Sequence, residues 1–498
     1  MRTLLKSCWN SPTITTWLNL SIQSLAFFVL LPLSVRILNE AAVSVFFLLL
    51  SVIGLQTFFN LGFQPTFVRL VGYASGGLCV DSMVDLRDTK SAVAEEVLEA
   101  ENEDSLRKVC AAMRLLNRRI AWFIVLFLSL VGTYALVHPV SKMTSGSDTW
   151  YAWVAILVGS FIRIRFSGYQ TYLTGRGDVA LVQRWQSLFS ALSISSMILA
   201  MLITSNLTSV IIANQSWIAV AAFCYYLIAK KKSHQRIGEW ERSRPDRAVL
   251  RIAWRNAWRS GVGMISSKMT QQSLGFFYAQ FGSSASVASF LIGMRIIESV
   301  ENFSMAPFYS RIPSLNRLKA RREHDSLEKS AREGMTISHW IYIAGFLVAA
   351  VLGPMILNHT GSKVTFPPNS IWLTLGLAFF LQRYGGMHIQ LYSTTNHIIW
   401  HWVSSIQGVL TIVAALTLAP HYDALGLTVA ILIGNFVYAA ICAPISLSQF
   451  KTPPVRFESL VVIPPFLVFV LIASLELQFQ ITQSISENLW QIIKVFYP

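Results

Sequence analysis

Apolar residues in this chain gather in runs of about 20, the length a helix needs to cross the hydrocarbon core of a bilayer, and polar stretches carrying most of the charge separate them. The runs stand near 13–37, 42–68, 119–138, 150–173, 180–203, 209–229, 260–281, 284–309, 336–357, 369–392, 397–419, 424–446 and 459–477. This pattern predicts an all-α polytopic membrane protein with twelve spans and a thirteenth segment interrupted by Pro464-Pro465. Between 12 and 14 transmembrane helices fit, depending on that segment and on whether the tail from Ile481 to Pro498, with Leu489-Trp490 and Phe496, re-enters the bilayer. The first run follows Arg2 and Lys6 but lacks a small-residue cleavage pattern and carries Asn19 and Gln23, so a retained helix is expected.

Composition agrees with this class, with 53% of the 498 residues hydrophobic and only 13% charged. The position of the charge adds orientation. Ten Lys/Arg lie between Lys230 and Arg259 and seven between Arg311 and Arg332, whereas the opposite loops hold little beyond Lys142 and Lys363. The positive-inside rule then places the N-terminus in the cytoplasm. Most of the net charge of +15 is therefore topological, and nucleic acid is not an expected partner. The five cysteines (Cys8, Cys79, Cys110, Cys224, Cys442) show no CxxC spacing, so neither a disulfide nor a structural zinc is expected.

The two halves repeat. Ser24-Leu25-Ala26-Phe27-Phe28 returns as Ser273-Leu274-Gly275-Phe276-Phe277, with Gln23 matched by Gln272. Pro65-Thr66-Phe67-Val68-Arg69 closes the second run as Pro307-Phe308-Tyr309-Ser310-Arg311 closes the eighth. Arg165-Phe166-Ser167-Gly168 in the fourth run and Arg383-Tyr384-Gly385-Gly386 in the tenth complete the register. Six spans per repeat enter the membrane in the same direction, so two six-helix bundles around a central cavity are expected, related by an axis along the membrane normal. Residues 1–229 form the N-terminal lobe with a cytoplasmic loop over 74–118, 230–259 a basic linker, 260–446 the C-terminal lobe, and 447–498 an extra helix or helices. In the linker, Arg251, Arg255 and Arg259 beside Leu250, Trp254 and Trp258 suit an amphipathic helix at the anionic interface. In the loop, Leu106, Val109, Met113 and Leu116 recur at helical spacing, which fits a surface-lying helix that either docks a partner or is simply solvated.

Several charges fall inside the spans. Each guanidinium costs about 2.5–3.5 kcal/mol to insert at the bilayer centre, so repeated ones point to function. Arg165, which has a repeat partner, and Arg383, Lys268, Arg295 and Arg163 are candidate substrate-binding cations of the lumen. Arg163 and Arg165 diverge by about 200° on a helix, so Arg163 is expected to meet a neighbouring helix instead. Glu298 and Glu301 are candidate coupling-ion or gating groups, though Arg295 and Glu298 at i, i+3 equally suit a structural ion pair. Arg69 and Arg311 are read as cytoplasmic helix-end arginines. Five cations against two carboxylates leave a net positive chamber, and arginine's fork matches phosphate oxygens. Aromatics nearby (Phe166, Tyr169, Tyr172, Tyr384, Tyr392, Trp400, Trp402) suit packing more than sugar contact. His388, His397 and His401 cluster around the end of the tenth run and the start of the eleventh; the His397/His401 spacing could form a metal site but lacks a third ligand, so no metal is expected, and nothing points to a catalytic residue.

Leu31-Pro32-Leu33-Ser34-Val35-Arg36-Ile37-Leu38, then Leu61-Gly62-Phe63 and Phe67-Val68-Arg69, resemble the opening of Wzx-type polysaccharide flippases, and Ala424-Leu425-Gly426-Leu427-Thr428-Val429-Ala430 resembles their twelfth-helix entry. These flippases belong to the multidrug/oligosaccharidyl-lipid/polysaccharide (MOP) exporter superfamily. The resemblance spans roughly 10–447. It implies a V-shaped pair of six-helix bundles and no covalent chemistry. It further implies alternating-access flipping of an undecaprenyl-pyrophosphate-linked oligosaccharide across the bacterial inner membrane. Membrane lipids, a polysaccharide polymerase and glycosyltransferases are the implied partners of a monomeric transporter without cofactors, with H+ or Na+ as a coupling ion. The segment beyond residue 447 departs from a twelve-helix pattern. Two alternatives remain: a cation-coupled multidrug antiporter of the same fold, and a membrane glycosyltransferase or polymerase. The antiporter calls for carboxylates facing cationic drugs. The enzyme calls for a large outer loop with paired carboxylates, which the stretch near Leu357–Ser370 lacks.

Overall fold

The computed structural model describes residues 9–37, 45, 46, 49, 62–86, 101–141, 146–278, 280, 282–359, 365–450 and 452–479. Most of the second apolar run, Leu61, part of the loop before residue 101, and the tail beyond 479 lie outside the described residues. What is described is helical. In chain order the helices are α1 (Pro12–Ile37), α2 (Phe63–Ser75), α3 (Glu103–Phe127), α4 (Thr133–Ser141), α5 (Gly146–Gly175), α6 (Val179–Thr204), α7 (Leu207–Lys232) and α8 (Ile237–Arg242). They continue with α9 (Arg247–Tyr278), α10 (Ser284–Tyr309), α11 (Ile312–Ala320), α12 (His324–His359), α13 (Asn369–Ser393), α14 (Trp400–Leu447), α15 (Pro454–Val461) and α16 (Ile463–Phe479).

The chain divides into two compact units, Met1–Gly261 and Val262–Pro498. Around their apolar cores both also expose many large apolar side chains, among them Trp122, Leu126, Leu202 and Phe223 in the first and Val409, Leu416, Phe436 and Leu471 in the second. Their polar residues, such as Asn19, Gln215, Arg383 and Asn435, are inside. That arrangement is what a lipid solvent requires, and it makes this a multi-pass membrane protein. Val179–Thr204, Leu207–Lys232, His324–Leu357 and Trp400–Leu447 are long and apolar enough to cross a bilayer by length and composition alone. At 48 residues α14 is more than twice the length one crossing needs, and Asp423, at φ 53° and ψ −134°, breaks it into two spans close to the expected 397–419 and 424–446.

In the N-terminal unit, α1 packs on α6 through apolar contact and one polar clasp: Asn19 Nδ2 donates to Gln183 Oε1 at 3.0 Å, and Gln23 donates to Asn19 Oδ1 at 3.1 Å. α3 is not a separate surface helix. It runs from the loop into the third span without a break, and Leu106, Val109, Cys110 and Met113 are buried against α5, α2 and α8. The amphipathic face of 103–118 is therefore already occupied by the lobe. The linker likewise belongs to this unit. Arg236 pairs with Glu103, Lys232 Nζ lies 2.8 Å from Asp178 Oδ1, and Arg176 Nη2 lies 3.0 Å from Glu101 Oε1. From Arg247 the expected interfacial helix continues straight into the seventh span as α9, burying Ala253 and Ala257 while Trp254 and Trp258 stay exposed.

Gly62 shows how close that packing is. Its φ is +73°, and a Cβ there would lie 2.6 Å from Ser260 Cβ and overlap the Ala257 carbonyl of α9. Gly62→Ala is expected to lower stability by about 1–3 kcal/mol through strain and clash together, read as a fall in melting temperature of the detergent-solubilised protein. An unchanged melting temperature would show that α2 and α9 separate at no cost.

The C-terminal unit has an aromatic core. Phe346 and Trp372 stack at 5.0 Å with planes 10° apart, Phe380 and Phe469 are 5.9 Å apart, and Tyr342 Oη donates to the Gly376 carbonyl at 2.7 Å. The thirteenth segment joins this core. α15 and α16 bend by 51° at the start of the Pro464-Pro465 pair, because neither proline has an N–H for the preceding turn. Asn369 Nδ2 then donates to Glu476 Oε1 at 3.0 Å near the far end of α16.

Candidate functional site

The two repeat arginines have different surroundings. In the N-terminal unit Arg165 is half-buried on α5, its guanidinium carbon 5.2 Å from the Phe166 ring centroid. Arg163, two residues earlier, is exposed, and no ion pair to it occurs among the described residues. The helix facing this stretch is α3, and it offers Asn117, which donates to Ser167 Oγ at 3.2 Å rather than engaging either arginine. Gly168 admits that approach, since a Cβ would stand 3.2 Å from Asn117 Nδ2 and 3.3 Å from Met113 Cε.

Arg383 of α13 is instead 0% exposed. Its Nη1 donates to the Ser338 carbonyl and its Nη2 meets His339 Nδ1, both at 2.6 Å. Its guanidinium carbon also stands 4.5 Å from the Tyr342 ring and 5.1 Å from that of Phe380. An arginine cannot donate to a protonated nitrogen, so His339 is neutral at Nδ1 and carries its proton on Nε2. Arg383 is thus enclosed: α12 supplies the carbonyl, the imidazole and the Tyr342 ring, and Phe380 of its own helix supplies a second aromatic face, which together substitute for water.

The other charges expected inside the spans of the C-terminal unit are Lys268, Arg295, Glu298 and Glu301. Lys268 of α9 is exposed. Arg295 Nη1 lies 3.3 Å from Glu298 Oε2, with the arginine side chain 71% and the glutamate 20% exposed, so the i, i+3 pair forms and the arginine still reaches outward. Glu301, one turn on along α10, is half-buried and within electrostatic reach of Lys268, Glu298 and Arg383. Three cations and two carboxylates thus share one lobe.

The helix-end arginines also part company. Arg311 sits between α10 and α11, where its Nη1 donates to the Ser330 carbonyl at 3.1 Å and to Glu333 Oε2 at 3.0 Å. Arg69 does not end its helix, because α2 runs on to Ser75. It is buried, donates from Nη2 to Thr66 Oγ1 at 3.1 Å, and leaves Nε without an acceptor.

Beside Lys268 runs a narrow cleft lined by Ser267, Thr270, Gln271, Gln382, Gln407 and Asn435. Gln407 Nε2 donates to Asn435 Oδ1 at 2.6 Å, and Asn435 Nδ2 donates to the Ala378 carbonyl at 2.8 Å. These amides were readable as polar positions inside apolar runs, but the sequence reading attended to formal charges. His339 and Glu458 were missed as well. His388 Nε2 lies 3.1 Å from Glu458 Oε1, a separation of ion-pair length whose angles fall outside a good hydrogen bond, and Tyr384 packs edge-on to the imidazole at 4.6 Å. His397 Nδ1 meets the Tyr392 hydroxyl at 3.0 Å. Among the described residues no three His, Cys, Asp or Glu side chains converge as metal ligands.

No family model matches this sequence, and no curated protein matches it. Solved structures do. A structure described as the outward-facing conformation of a multidrug resistance MATE family transporter of the MOP superfamily matches with a TM-score of 0.66 at 14% identity, over 91% of this chain and 98% of that one. One of MATE in the straight conformation matches with a TM-score of 0.64 at 15% identity, over 91% and 98%. A third, a MOP superfamily transporter from Pyrococcus furiosus, matches with a TM-score of 0.63 at 17% identity over the same shares, and is described with the words "reverse polarity of binding pocket suggests different function". The fold is that of the MATE-type transporters of the MOP superfamily, with two repeat halves.

Proposed function

We propose that this chain, built on the fold of the MOP-superfamily transporters, moves an anionic amphiphile across the bacterial inner membrane: an oligosaccharide carried on a polyprenyl diphosphate. The unpaired cations inside the N-terminal lobe carry this reading. There Arg163 and Arg165 have no carboxylate partner among the described residues; in the C-terminal lobe Lys268, Arg295 and Arg383 stand with Glu298 and Glu301, while Glu458 and Glu476 belong to the added segment. In a low-dielectric interior such unpaired cations attract a diphosphate and lower the cost of moving it. Arg165 is the group we assign to the diphosphate in the N-terminal lobe; within the C-terminal lobe Lys268 is exposed and Arg295 stays accessible despite its partner. Arg383 sets the local field from behind its aromatic wall. Uncharged amides at Gln382, Gln407 and Asn435 suit the hydroxyls of a glycan. Alternating access exposes the glycan outside while the lipid tail stays in the bilayer. Glu301, half-buried among cations, is the proposed site of a coupling H+ or Na+, with Glu298 secondary. The neighbour described as having a pocket of reversed polarity supports the view that charge sign varies on this fold.

A cation-coupled multidrug antiporter is the second reading, favoured by the neighbours described as MATE. It requires a carboxylate free to meet a cationic drug; Glu298 is engaged by Arg295 at 3.3 Å, which leaves Glu301 for that role.

The test is transport in proteoliposomes of a fluorescent lipid-diphosphate oligosaccharide beside a cationic dye. Wild type is expected to flip the lipid and ignore the dye, and Arg165→Ala to lose about tenfold or more in rate, as removal of one charge-assisted phosphate contact implies. Because Arg165 is half-buried with one ring contact, its melting temperature is expected to stay within about 2 °C of wild type. Dye export without lipid flipping would move the assignment to the antiporter.

A further inference from the structure

One cavity of the N-terminal unit lies away from the charges discussed above. It is a groove of about 440 Å³ in the N-terminal unit, between α5 and α7. One wall is Ile162, Phe166 and Tyr169, at i, i+4 and i+7 on α5, and the other is Ala219, Ala222, Phe223 and Tyr226 on α7. The aromatic rings are arranged around it: Phe166 and Tyr169 stack at 6.1 Å, and Tyr169 meets Tyr226 at 5.2 Å. The two alanines, a turn apart, leave a trough between the aromatic walls, and Phe223 is 61% exposed at its rim.

The groove is amphipathic along its length. Its apolar part spans eight residues of each helix, seven steps of 1.5 Å or about 10 Å. At one end it is closed by Arg114 of α3 and Arg242 of α8, beside Gly238. Arg242 belongs to the basic stretch that begins with Lys230, Lys231 and Lys232 at the end of α7. Arg242 is exposed and has no carboxylate partner among the described residues. Apolar outer surface needs no groove to meet bulk lipid. An apolar trough with two guanidinium groups in its lining, one of them exposed, suits one amphiphile with an anionic head.

We propose that this groove is a binding site for a phospholipid with a net negative headgroup, taken from the leaflet on the basic side. The phosphate sits on Arg114 and Arg242, and the upper part of one acyl chain lies over Ala219 and Ala222 between the aromatic walls. Neither Arg165 nor any cation of the C-terminal lobe lines the groove, so this site stands whether or not the cargo reading does. Its effect is to hold α8, and with it the start of the linker, against α5 and α7.

Native mass spectrometry of the full chain in mild detergent tests it, with phosphatidylglycerol and phosphatidylcholine of identical acyl chains supplied in equal amounts. Wild type is expected to retain one phosphatidylglycerol with about tenfold preference, as two arginines near an anionic surface imply. Arg114→Gln/Arg242→Gln is expected to reduce that preference to parity. Ala222→Trp fills the trough and keeps both arginines, so it is expected to lower retention of both lipids. Arg242→Gln alone, at an exposed position, keeps the fold as a control and is expected to lose part of the preference. Equal retention of the two lipids by wild type overturns the proposal, as does unchanged preference in the double variant. Displacement of the bound lipid by millimolar inorganic phosphate would make this a free-anion site, and the lipid assignment would fall.

Discussion

Arg383→Ala is expected to lower the melting temperature of the detergent-solubilised protein by roughly 10 °C, which corresponds to about 3–5 kcal/mol. Arg383 heads the bulkiest fully buried side chains among the described residues. Truncation leaves a hole between Tyr342 and Phe380 and removes the donor that satisfies His339 Nδ1 and the Ser338 carbonyl. Arg383→Lys is not a rescue, since a single ammonium cannot reach both acceptors while lying flat on two rings. It is expected to recover less than half of the loss. A change of under 2 °C for Arg383→Ala would show that the enclosure is loose and that the guanidinium reaches water. The result also bears on transport. A rate lost in Arg383→Ala cannot be assigned to cargo contact, because the lobe itself is weakened. Arg165→Ala is the variant that separates the two effects.

That asymmetry between two arginines of the same motif shows where sequence reading reaches its limit. Local patterns were well placed. The fifth and sixth runs, expected at 180–203 and 209–229, are α6 and α7 within a few residues, because Asn206 caps the latter by accepting from Thr208 N at 2.8 Å. The division at Asp423 also follows local signals. Continuity was harder. Nothing between Arg247 and Tyr278 breaks a helix, and Gly261 and Gly263 are tolerated inside α9 because Gly263 lies against Trp400. A change from amphipathic to apolar pattern had nonetheless been read as a boundary. The same holds for α3. The enclosure of Arg383 was beyond reach for a different reason, since its acceptors stand 44 and 45 positions away on α12. A sequence shows that a charge lies in an apolar run, while which face it takes is decided by packing between helices. Arg69 likewise lies within α2, buried by packing that its position in the sequence does not show.

Glu458→Ala is expected to be nearly as damaging as Arg383→Ala, at about 3 kcal/mol, and for a reason that concerns the departure from a twelve-helix pattern. His388 is fully buried on α13, and the carboxylate 3.1 Å from its Nε2 comes from α15, the first turns of the thirteenth segment. Removing one partner strands the other in a site that water does not reach. The contact is one of several along the segment. Thr452 Oγ1 donates to Glu328 Oε2 at 2.9 Å, Phe457 stacks on Phe450 at 5.8 Å, and Phe466 and Phe469 pack on Phe380. Residues 452–479 therefore belong to the core of the C-terminal lobe, and the wall that encloses Arg383 includes Phe380, which they support from behind. If so, His388→Ala and Glu458→Ala are not additive. The double variant is expected to be less destabilised than the sum by about 1–3 kcal/mol, because each single change already removes the pair. Additive losses in that cycle, or a cost below about 0.5 kcal/mol for Glu458→Ala, would mean that the segment only leans on the lobe. In that case its removal would leave the Arg383 enclosure, and the stability that depends on it, intact.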